Sequence, residues 1–314
     1  MKAPLVGLLV NPSAARHGRH PRRLLDYERL MGDRGPLWKT EGRAELPDAA
    51  RAFFEAGVEV LALAGGDGTV HAALNAFLPV YGTAPLPPIL IVQAGTINNM
   101  SAEIGMRRSG LKVLHDFLNG RMERPLRLVR RTLMRVNDHH GFLYGSGFPT
   151  RLLERYYQAP RQSPARALML VLRSLACAGW QSGMEESLFG RMKAQITVDG
   201  KSREMEDLIF VLASTILKIG LNFRPCHLAL SSENAFHLMA SSSSLRSLCW
   251  GVHRLYLGRP LGVEGCLDTL AREVLIELDV SIPYMVDGEL KERARTHLIQ
   301  KDRAVSFVVD LGEA

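Results

Sequence analysis

The segment Gly65-Gly-Asp-Gly-Thr69 is the stretch of this sequence best suited to chemistry. It follows the apolar run 58–64 and precedes an amphipathic segment over 69–77, a pattern that predicts a strand, a glycine turn and a helix. Glycines let a backbone approach a ligand closely, and the N–H groups of a turn and a helix start attract an anion such as phosphate. Asp67 would repel a bare phosphate, so it fits best where a metal ion or a reacting hydroxyl lies between them. The alternative is an ordinary βα turn in which Asp67 caps the helix.

Three further segments carry polar groups that suit the same chemistry. They are Asn11-Pro12-Ser13, the run Ala94-Gly-Thr-Ile-Asn-Asn-Met-Ser-Ala-Glu-Ile-Gly-Met106, and Asp287-Gly288-Glu289. Hydroxyls and backbone donors can surround phosphate oxygens, whereas carboxylates hold metal ions or accept protons. Asp-Gly is also a common turn pair, so the last segment has a purely structural alternative, a hairpin turn.

Short buried strands must position the first of these segments. The pattern predicts strands at 5–10, 37–40, 58–64 and 89–93, and helices at 22–31, 48–56, 69–77 and 109–118. Strands that alternate with helices indicate an α/β domain with a doubly wound parallel sheet. Ligands of such sheets lie beyond the carboxyl ends of the strands. Asn11, Thr40, Asp67 and Thr96 all fall at those ends.

The chain changes character after Pro125. Strand candidates now follow one another, at 126–136, 142–148, 208–213, 235–239, 273–280 and 304–309, with a helix at 165–178. Asp199-Gly200, in the middle of residues 195–203, predicts a two-residue hairpin. We therefore expect the second half to be mainly antiparallel β.

Composition narrows the class of protein. The chain has 314 residues, of which 46% are hydrophobic and 23% charged, as expected for a globular enzyme of two domains. A net charge of +7 favours an anionic partner. The cysteines form no CxxC pair, which indicates reduced thiols in a cytosolic protein without a zinc site. No segment is long and apolar enough to span a bilayer, and no nucleic-acid module is recognisable.

In this order and spacing, the polar motifs resemble the diacylglycerol kinase catalytic-domain family, the bacterial lipid kinases related to sphingosine and ceramide kinases. The glycine segment at 65–69 alone would also suit NAD kinases, but the Gly95-Thr-Ile-Asn-Asn99 turn and the distal Asp-Gly-Glu select the lipid kinases. The resemblance implies a nucleotide-binding α/β domain of the NAD kinase and diacylglycerol kinase type at 1–125. A mainly antiparallel β-sandwich, the lipid-acceptor domain, would follow at 126–314, with its last residues free to pack back on the first domain.

The resemblance also implies roles for individual residues. Asp67 would be catalytic and would hold Mg²⁺, and Glu289 would be the general base that takes the proton from the lipid hydroxyl. Asp287 would be a second metal ligand or a hydrogen-bonding partner. The nucleotide site, which binds ATP, would be formed by Asn11, Pro12, Ser13, Thr40, Gly65, Gly66, Asp67, Gly68, Thr69, Gly95, Thr96 and Asn98.

Two segments of the second half depart from the family pattern. Pro149 stands where the family has an aspartate, and Ser231-Ser-Glu-Asn234 stands where an Asp-Gly pair is typical. Both departures fall on the lipid-facing domain. They therefore put the identity of the acceptor and an accessory Mg²⁺ site in question, and leave the nucleotide side intact.

The sequence thus predicts an ATP- and Mg²⁺-dependent lipid kinase that phosphorylates a hydroxyl of a diacylglycerol-like or sphingoid lipid. Two alternatives stay open, namely a soluble-substrate kinase of the NAD kinase type and a nucleotide-binding regulator without catalysis. The expected partner is a lipid at the membrane surface, with peripheral contact at the inner face of the membrane, no nucleic acid, and a homodimer left open. The basic loop at 16–23 is interpreted as a solvated face, with contact to nucleotide phosphate or to anionic headgroups as the alternatives.

Overall fold

The computed structural model describes residues 4–14, 17, 22–95, 98–106, 110–120, 127–158, 188–219 and 223–309. The chain divides into two compact units. The first unit comprises residues 1–131 together with 304–314, and the second comprises residues 132–303. The boundary predicted from the sequence lies after residue 125.

Parallel strands form the sheet of the first unit in the order β2–β1–β3–β4. They are β1 (Val6–Val10), β2 (Leu37–Lys39), β3 (Val60–Gly65) and β4 (Ile89–Gln93). Leu8 pairs with Ala62, and Leu61 pairs with Ile89. Every residue of β1 and β3 is buried, which explains why both strands are continuous apolar runs without alternation.

Helices connect these strands as the sequence predicts. They are α1 (Arg22–Met31), α2 (Leu46–Glu55), α3 (Asp67–Tyr81), α4 (Asn99–Glu103) and α5 (Leu111–Leu118), with a 3₁₀ turn at Arg43–Glu45. Pro47 lies in the first turn of α2, where its missing N–H costs no helical hydrogen bond. Helix α2 packs closely on β1, because a Cβ atom at Gly7 would lie 2.8 Å from the ring of Phe53. The predicted α/β domain with a parallel sheet is confirmed.

Helix α3 differs from its predicted bounds at both ends. It begins at Asp67 rather than at 69, since Gly66 has extended backbone and serves as the N-cap. It also continues past residue 77 to Tyr81, although Pro79 lies inside it.

The second unit is built mainly from antiparallel strands. They are β5 (Arg127–Val136), β6 (His139–Gly141), β7 (Leu143–Gly147), β8 (Met192–Val198), β9 (Lys201–Leu208), β10 (Phe210–Ser214), β11 (Phe236–Ser241), β12 (Cys266–Ala271), β13 (Glu273–Val286) and β14 (Glu289–Val309). The neighbours β12–β11–β10–β7–β13–β14 are all antiparallel, and the β8–β9 hairpin pairs with β13 through β8. The helices are α6 (Phe148–Tyr157) and α7 (Leu245–Tyr256).

Both faces of the central strands of this unit are buried. Val211 and Ala213 of β10 belong to one core cluster, whereas Leu212 between them belongs to a second. Leu238 and Met239 of β11 are divided between the two clusters in the same way. Side chains alternate along a strand, so each face of the sheet has its own core. The prediction of an antiparallel β-rich second domain is confirmed.

The structure tests several predicted turns and strand ends in this unit. The hairpin at Asp199-Gly200 is present, with Val198 paired to Lys201. The strand predicted to end at 148 ends at Gly147, whose φ of +73° turns the chain into α6. Strand β14 begins at Glu289 and not at 304, because its first half is charged and lacks an apolar signal. The helix predicted at 165–178 lies outside the described residues.

None of the helices that the structure describes is both long and apolar enough to cross a membrane.

Candidate functional site

The two glycine turns of the first unit lie in direct backbone contact. One follows β3 and the other follows β4, and these strands are neighbours in the parallel sheet. A Cβ atom at Gly95 would lie 2.5 Å from the Cα atom of Gly66, and a Cβ atom at Gly66 would lie 3.0 Å from the Cα atom of Gly95. Any other residue at Gly95 would therefore push the two turns apart.

Asp67 ties the same two turns together through its carboxylate. The backbone N–H of Asn99 donates to Oδ2 at 2.8 Å, and the N–H of Met100 donates to Oδ1 at 3.0 Å. These are the first two residues of α4, whose N–H groups have no partner within the helix. The capping role weighed for Asp67 is therefore real, but it serves α4 and not its own helix α3.

The end of β1 is held to the start of α3 by side chains. Asn11 donates from Nδ2 to Oγ1 of Thr69 at 3.0 Å, and its Oδ1 accepts the N–H of Ser13 at 3.0 Å. Thr69 also lies against Gly65, where a Cβ atom would come within 2.2 Å of its hydroxyl oxygen. A single hydrogen-bonded group thus joins the turns after β1 and β3.

His17 supports this group from below the surface. Its Nδ1 contacts the carbonyl oxygen of Asn11 at 2.6 Å, and its Nε2 contacts the hydroxyl of Tyr27 at 3.1 Å. Burial lowers the pKa of His17; the bond to Asn11 opposes that shift and Arg23 adds to it. A neutral ring donates from Nδ1 to the carbonyl and accepts the Tyr27 O–H at Nε2. The interpretation of loop 16–23 as a solvated face was wrong for His17, which is buried.

The other predicted nucleotide residues lie at the ends of the same strands. Thr40 is buried, its N–H donates to the carbonyl oxygen of Val10 at 3.0 Å, and its hydroxyl donates to the carbonyl oxygen of Gly42. Pro12 is half-buried after β1, and Gly68 lies in the first turn of α3. Thr96 lies outside the described residues, so its predicted contact with the nucleotide stays a prediction.

Asn98 has three distinctive features. Its φ is +52°, a left-handed conformation that asparagine tolerates better than most residues. Its Nδ2 donates to the carbonyl oxygen of Gly95 at 3.1 Å. Its Oδ1 is buried and has no hydrogen-bond partner within the described part of the chain. Buried polar atoms are normally paired, so this oxygen suits a donor on a ligand.

In the second unit, Asp287-Gly288 forms the turn of the β13–β14 hairpin. Val286 pairs with Glu289, and Asp287 and Gly288 have φ values of +52° and +80°. The structural alternative weighed from the sequence therefore describes the backbone here. Glu289, the predicted base, is the half-buried first residue of β14.

The carboxylate of Asp287 also holds a neighbouring turn. Its Oδ1 accepts the backbone N–H groups of Phe142 at 2.8 Å and Leu143 at 2.9 Å. The hydroxyl of Tyr157 donates to the carbonyl oxygen of Gly288 at 2.7 Å, which fixes the other side of the hairpin. Asp287 thus has a structural role, and its predicted contact with a metal ion stays a prediction.

The two departures from the family pattern have local structural roles. Pro149 lies in the first turn of α6, a position that tolerates proline. In the loop at 231–234, Asn234 donates its N–H to Oγ of Ser232 at 3.1 Å, and the Glu233 carbonyl oxygen accepts from Thr132 at 3.0 Å. Glu233 itself is exposed. The accessory Mg²⁺ site therefore stays in question.

The parallel sheet with polar turns at its carboxyl ends places the first unit among the α/β proteins that bind ligands at that edge. Residues 6–129 match the family model described as the diacylglycerol kinase catalytic domain. This match confirms the family resemblance that the motifs predict.

Solved structures extend the likeness to the whole chain. A crystal structure of a diacylglycerol kinase from Bacillus anthracis str. Sterne has a TM-score of 0.69 and 16% identity, and the match covers 99% of this chain and 98% of that one. A second structure from the same strain, whose assignment as a diacylglycerol kinase is itself a proposal, has a TM-score of 0.73 and 15% identity over the same shares. At this identity the likeness shows the fold. No curated protein matches the sequence.

Proposed function

We propose that the protein is an ATP-dependent lipid kinase that transfers the γ-phosphate of ATP to a hydroxyl of a diacylglycerol-like or sphingoid lipid. The match of residues 6–129 to the diacylglycerol kinase family model supports a kinase with an alcohol acceptor. The observation that carries the proposal is the pair of interlocked glycine turns, in which Gly66 contacts Gly95 and Asp67 bonds to Asn99 and Met100.

The chemistry of these turns suits a triphosphate. Phosphoryl transfer depends on positioning and on charge stabilisation rather than on covalent chemistry by the protein. Backbone N–H groups of glycine turns and the start of α3 can face phosphate oxygens without steric hindrance. The hydrogen-bonded pair of Asn11 and Thr69 keeps the polar groups of two turns in fixed positions. Such fixed dipoles need no reorganisation during the reaction.

Mg²⁺ fits the donor set at these turns. The ion is usually bound by one or two carboxylates together with waters and substrate phosphates, and Asp67 is the carboxylate that the turns supply. Two backbone N–H groups orient its oxygens, and a carboxylate can accept about four hydrogen bonds in all. When bound, the ion would neutralise charge on the transferred phosphate.

Glu289 is the residue that we assign as general base toward the lipid hydroxyl. It follows a hairpin turn that Asp287 and Tyr157 hold by hydrogen bonds, so its backbone position is well defined. A positioned carboxylate can accept the proton and align the hydroxyl for attack.

A surface of α7 favours a lipid over a soluble acceptor. We call the exposed residues Arg246, Trp250, His253, Tyr256 and Leu257 the α7 surface. Trp250 is 79% exposed, Leu257 58% and Tyr256 55%, while the opposite side of the helix is buried. Exposed apolar and aromatic side chains beside cationic ones are typical of helices that lie in the interface of a membrane. The basic residues would also be attracted to anionic lipids.

The test of the proposed reaction is transfer of label from [γ-³²P]ATP in Mg²⁺ buffer to either a panel of lipid vesicles or NAD. We expect label in the organic phase with a diacylglycerol-like or sphingoid lipid. Label on NAD would instead support a kinase of the NAD kinase type, and ATP binding without transfer would support a regulator.

Glu289→Gln tests the assigned base. Loss of a general base reduces turnover by roughly 10²–10⁴-fold. We expect such a loss with unchanged ATP binding, because the variant keeps the size of the side chain and removes its charge. Near-normal turnover would refute the assignment of Glu289.

The membrane contact is tested by co-sedimentation with vesicles that contain phosphatidylglycerol. We expect Trp250→Ala to weaken sedimentation at least tenfold, while Val280→Ala, at a residue 62% exposed on β13, leaves it unchanged. Equal binding by both variants would exclude the α7 surface.

A further inference from the structure

A compact group of metal-ligating side chains lies in the second unit, apart from the residues assigned to phosphoryl transfer. It consists of His227, His237 and Asp268, and one ligand atom from each lies within 4.8 Å of the others. His237 belongs to β11 and Asp268 to the adjacent β12, whereas His227 comes from the segment between β10 and β11. The sequence spacing of these residues matches no familiar metal motif, so the sequence analysis did not identify them.

Strand register explains how the group forms. His237 pairs with Leu270, which is two residues beyond Asp268 on the antiparallel strand β12. Side chains two residues apart lie on the same face of a strand, so His237 and Asp268 are diagonal neighbours on one face of the sheet. The two adjacent strands therefore fix two of the three ligands.

The atoms converge on the carboxylate. Nε2 of His237 lies 2.6 Å from Oδ1 of Asp268, and Nε2 of His227 lies 3.8 Å from the same oxygen. The centroids of the two imidazole rings are 4.8 Å apart, with the rings nearly perpendicular. Both histidines thus direct the same nitrogen toward one carboxylate.

The hydrogen bond between His237 and Asp268 does not satisfy all the buried polar atoms of this group. The side chain of His237 is fully buried. Among the residues that the structure describes, Nδ1 of His227, Nδ1 of His237 and Oδ2 of Asp268 are buried and have no hydrogen-bond partner. Buried polar atoms are rarely unpaired in native proteins. Oδ2 of Asp268 belongs to the carboxylate that both Nε2 atoms approach, so it can contact a metal ion placed among these groups.

We propose that His227, His237 and Asp268 bind a divalent transition-metal ion, with Zn²⁺ as the best match. Imidazole nitrogens and a carboxylate oxygen are common zinc ligands, at about 2.0–2.2 Å from the ion. In a tetrahedral site, ligand atoms at that distance lie roughly 3.4 Å from one another. The separation of 3.8 Å between Nε2 of His227 and Oδ1 of Asp268 is close to that value. The 2.6 Å between Nε2 of His237 and the same oxygen is a hydrogen-bond distance, so these two side chains would separate by about 0.8 Å when the ion binds. Mg²⁺ prefers oxygen ligands and fits this group poorly.

The ion would join the segment that carries His227 to the strands β11 and β12. Its role would therefore be to stabilise the second unit, since binding to the folded state alone raises stability. The expectation from cysteine spacing that the protein has no zinc site would then be wrong, because the ligands are histidines and an aspartate. This inference is independent of the proposed kinase reaction.

The test is titration of the full-length, chelator-treated protein with Zn²⁺ by calorimetry and with Co²⁺ by visible absorption. We expect one equivalent of Zn²⁺ per chain, a rise in the unfolding temperature, and the visible bands of tetrahedral Co²⁺. A thousandfold excess of Mg²⁺ should not displace the Zn²⁺. Absence of binding, or displacement by Mg²⁺, would overturn the proposal.

Two variants locate the site while keeping the fold. His227→Gln removes a ligand from the segment between strands, and Asp268→Asn keeps an oxygen that can accept from His237. We expect each to weaken Zn²⁺ binding at least tenfold, whereas His253→Gln, at an exposed position of α7, leaves it unchanged. Circular dichroism at 25 °C checks that all three variants are folded. Affinity equal to that of the unmodified protein in both ligand variants would refute the site.

Discussion

Asp67 and Asp287 invite comparison, because each lies next to a glycine and each accepts two backbone N–H groups from a distant segment. Asp67 uses both oxygens, one for Asn99 and one for Met100. Asp287 uses Oδ1 for both Phe142 and Leu143. The two residues are alike in sequence, and for these backbone bonds they differ in which oxygens accept.

Because of this difference, replacing each aspartate by asparagine separates the effect of its charge from the effect of its hydrogen bonds. Asparagine has one accepting oxygen and an NH₂ group that cannot accept. An asparagine at position 287 can keep both backbone hydrogen bonds. At position 67 it must lose one of them, because its NH₂ group would then face a backbone N–H group. The same substitution therefore tests structure in the first unit and carboxylate chemistry in the second.

The largest effect is expected from Gly95→Ala. The new Cβ atom would lie 2.5 Å from the Cα atom of Gly66. Because that atom belongs to the backbone, no side-chain rotation can relieve the clash. Overpacking of this kind costs about 3 kcal/mol and would separate the turns that Asp67 joins. We expect ATP binding, measured by calorimetry, to be lost. Gly42→Ala is the matched control, since a Cβ atom there meets nothing within 4 Å, and unchanged binding in both variants would contradict the contact.

Asp67→Asn should come next. It leaves one N–H of α4 unpaired, which costs about 2 kcal/mol in urea unfolding at pH 7.5. It should also abolish phosphoryl transfer, because the charge that would hold Mg²⁺ in the proposed reaction is gone. Full stability combined with lost transfer would show that the two backbone bonds contribute little. Retained transfer would exclude Asp67 from the reaction.

Acid should lower the stability of the second unit. The variants Asp67→Asn and Asp287→Asn can therefore be compared only within a limited pH range. His297 is fully buried, its Nδ1 lies 2.6 Å from the Tyr144 hydroxyl, and burial lowers its pKa to about 4 despite backbone hydrogen bonds that raise it. The unfolded chain then binds a proton before the folded protein does. Stability is complete above the unfolded pKa of about 6.5 and falls as the pH drops toward 4, by up to about 1.4 kcal/mol per pH unit.

Urea unfolding between pH 7.5 and 4.5 measures this slope. His297→Gln should be less stable at pH 7.5 but should lose less stability with acid. An equally steep slope in the variant would assign the acid sensitivity to another group. The asparagine variants should accordingly be compared above pH 7.

The smallest structural effect is expected from Asp287→Asn. The amide oxygen can replace Oδ1 toward Phe142 and Leu143, and asparagine favours the φ of +52° found at this turn. We expect a stability change below about 0.5 kcal/mol. If the variant also loses kinase activity, a charged group is needed at this position. If it keeps activity, the predicted metal contact of Asp287 is wrong, and Asp287→Ala should then act through stability alone.

The elements of the first unit were largely predictable, because their signals are local. A strand buried on both faces has to be a short apolar run, and the glycine segment after β3 marks the turn directly. The contact between the two glycine turns was harder to predict from the sequence. That Gly66 contacts Gly95 depends on the adjacency of β3 and β4, which no stretch of sequence encodes alone.

Non-local contacts also explain what the sequence missed. The helix capped by Asp67 is 32 residues away, and His17 looked solvated because its neighbours in the chain are basic. The first half of β14 was missed because alternating charged residues on an antiparallel strand resemble a loop. The group of His227, His237 and Asp268 requires the register of β11 against β12, which only the folded chain provides.

Strand β14 has a consequence for synthesis on the ribosome. Its final residues belong to the first unit, where Phe307 pairs with Ile89 of β4. The sheet of the first unit therefore cannot be completed until residues 304–309, which follow the whole second unit, have been translated. Until then β4 has an unpaired edge, and such edges are sites of aggregation. The need for chaperones during translation should thus depend on how long β4 remains unpaired before β14 is made, rather than on the length of either unit.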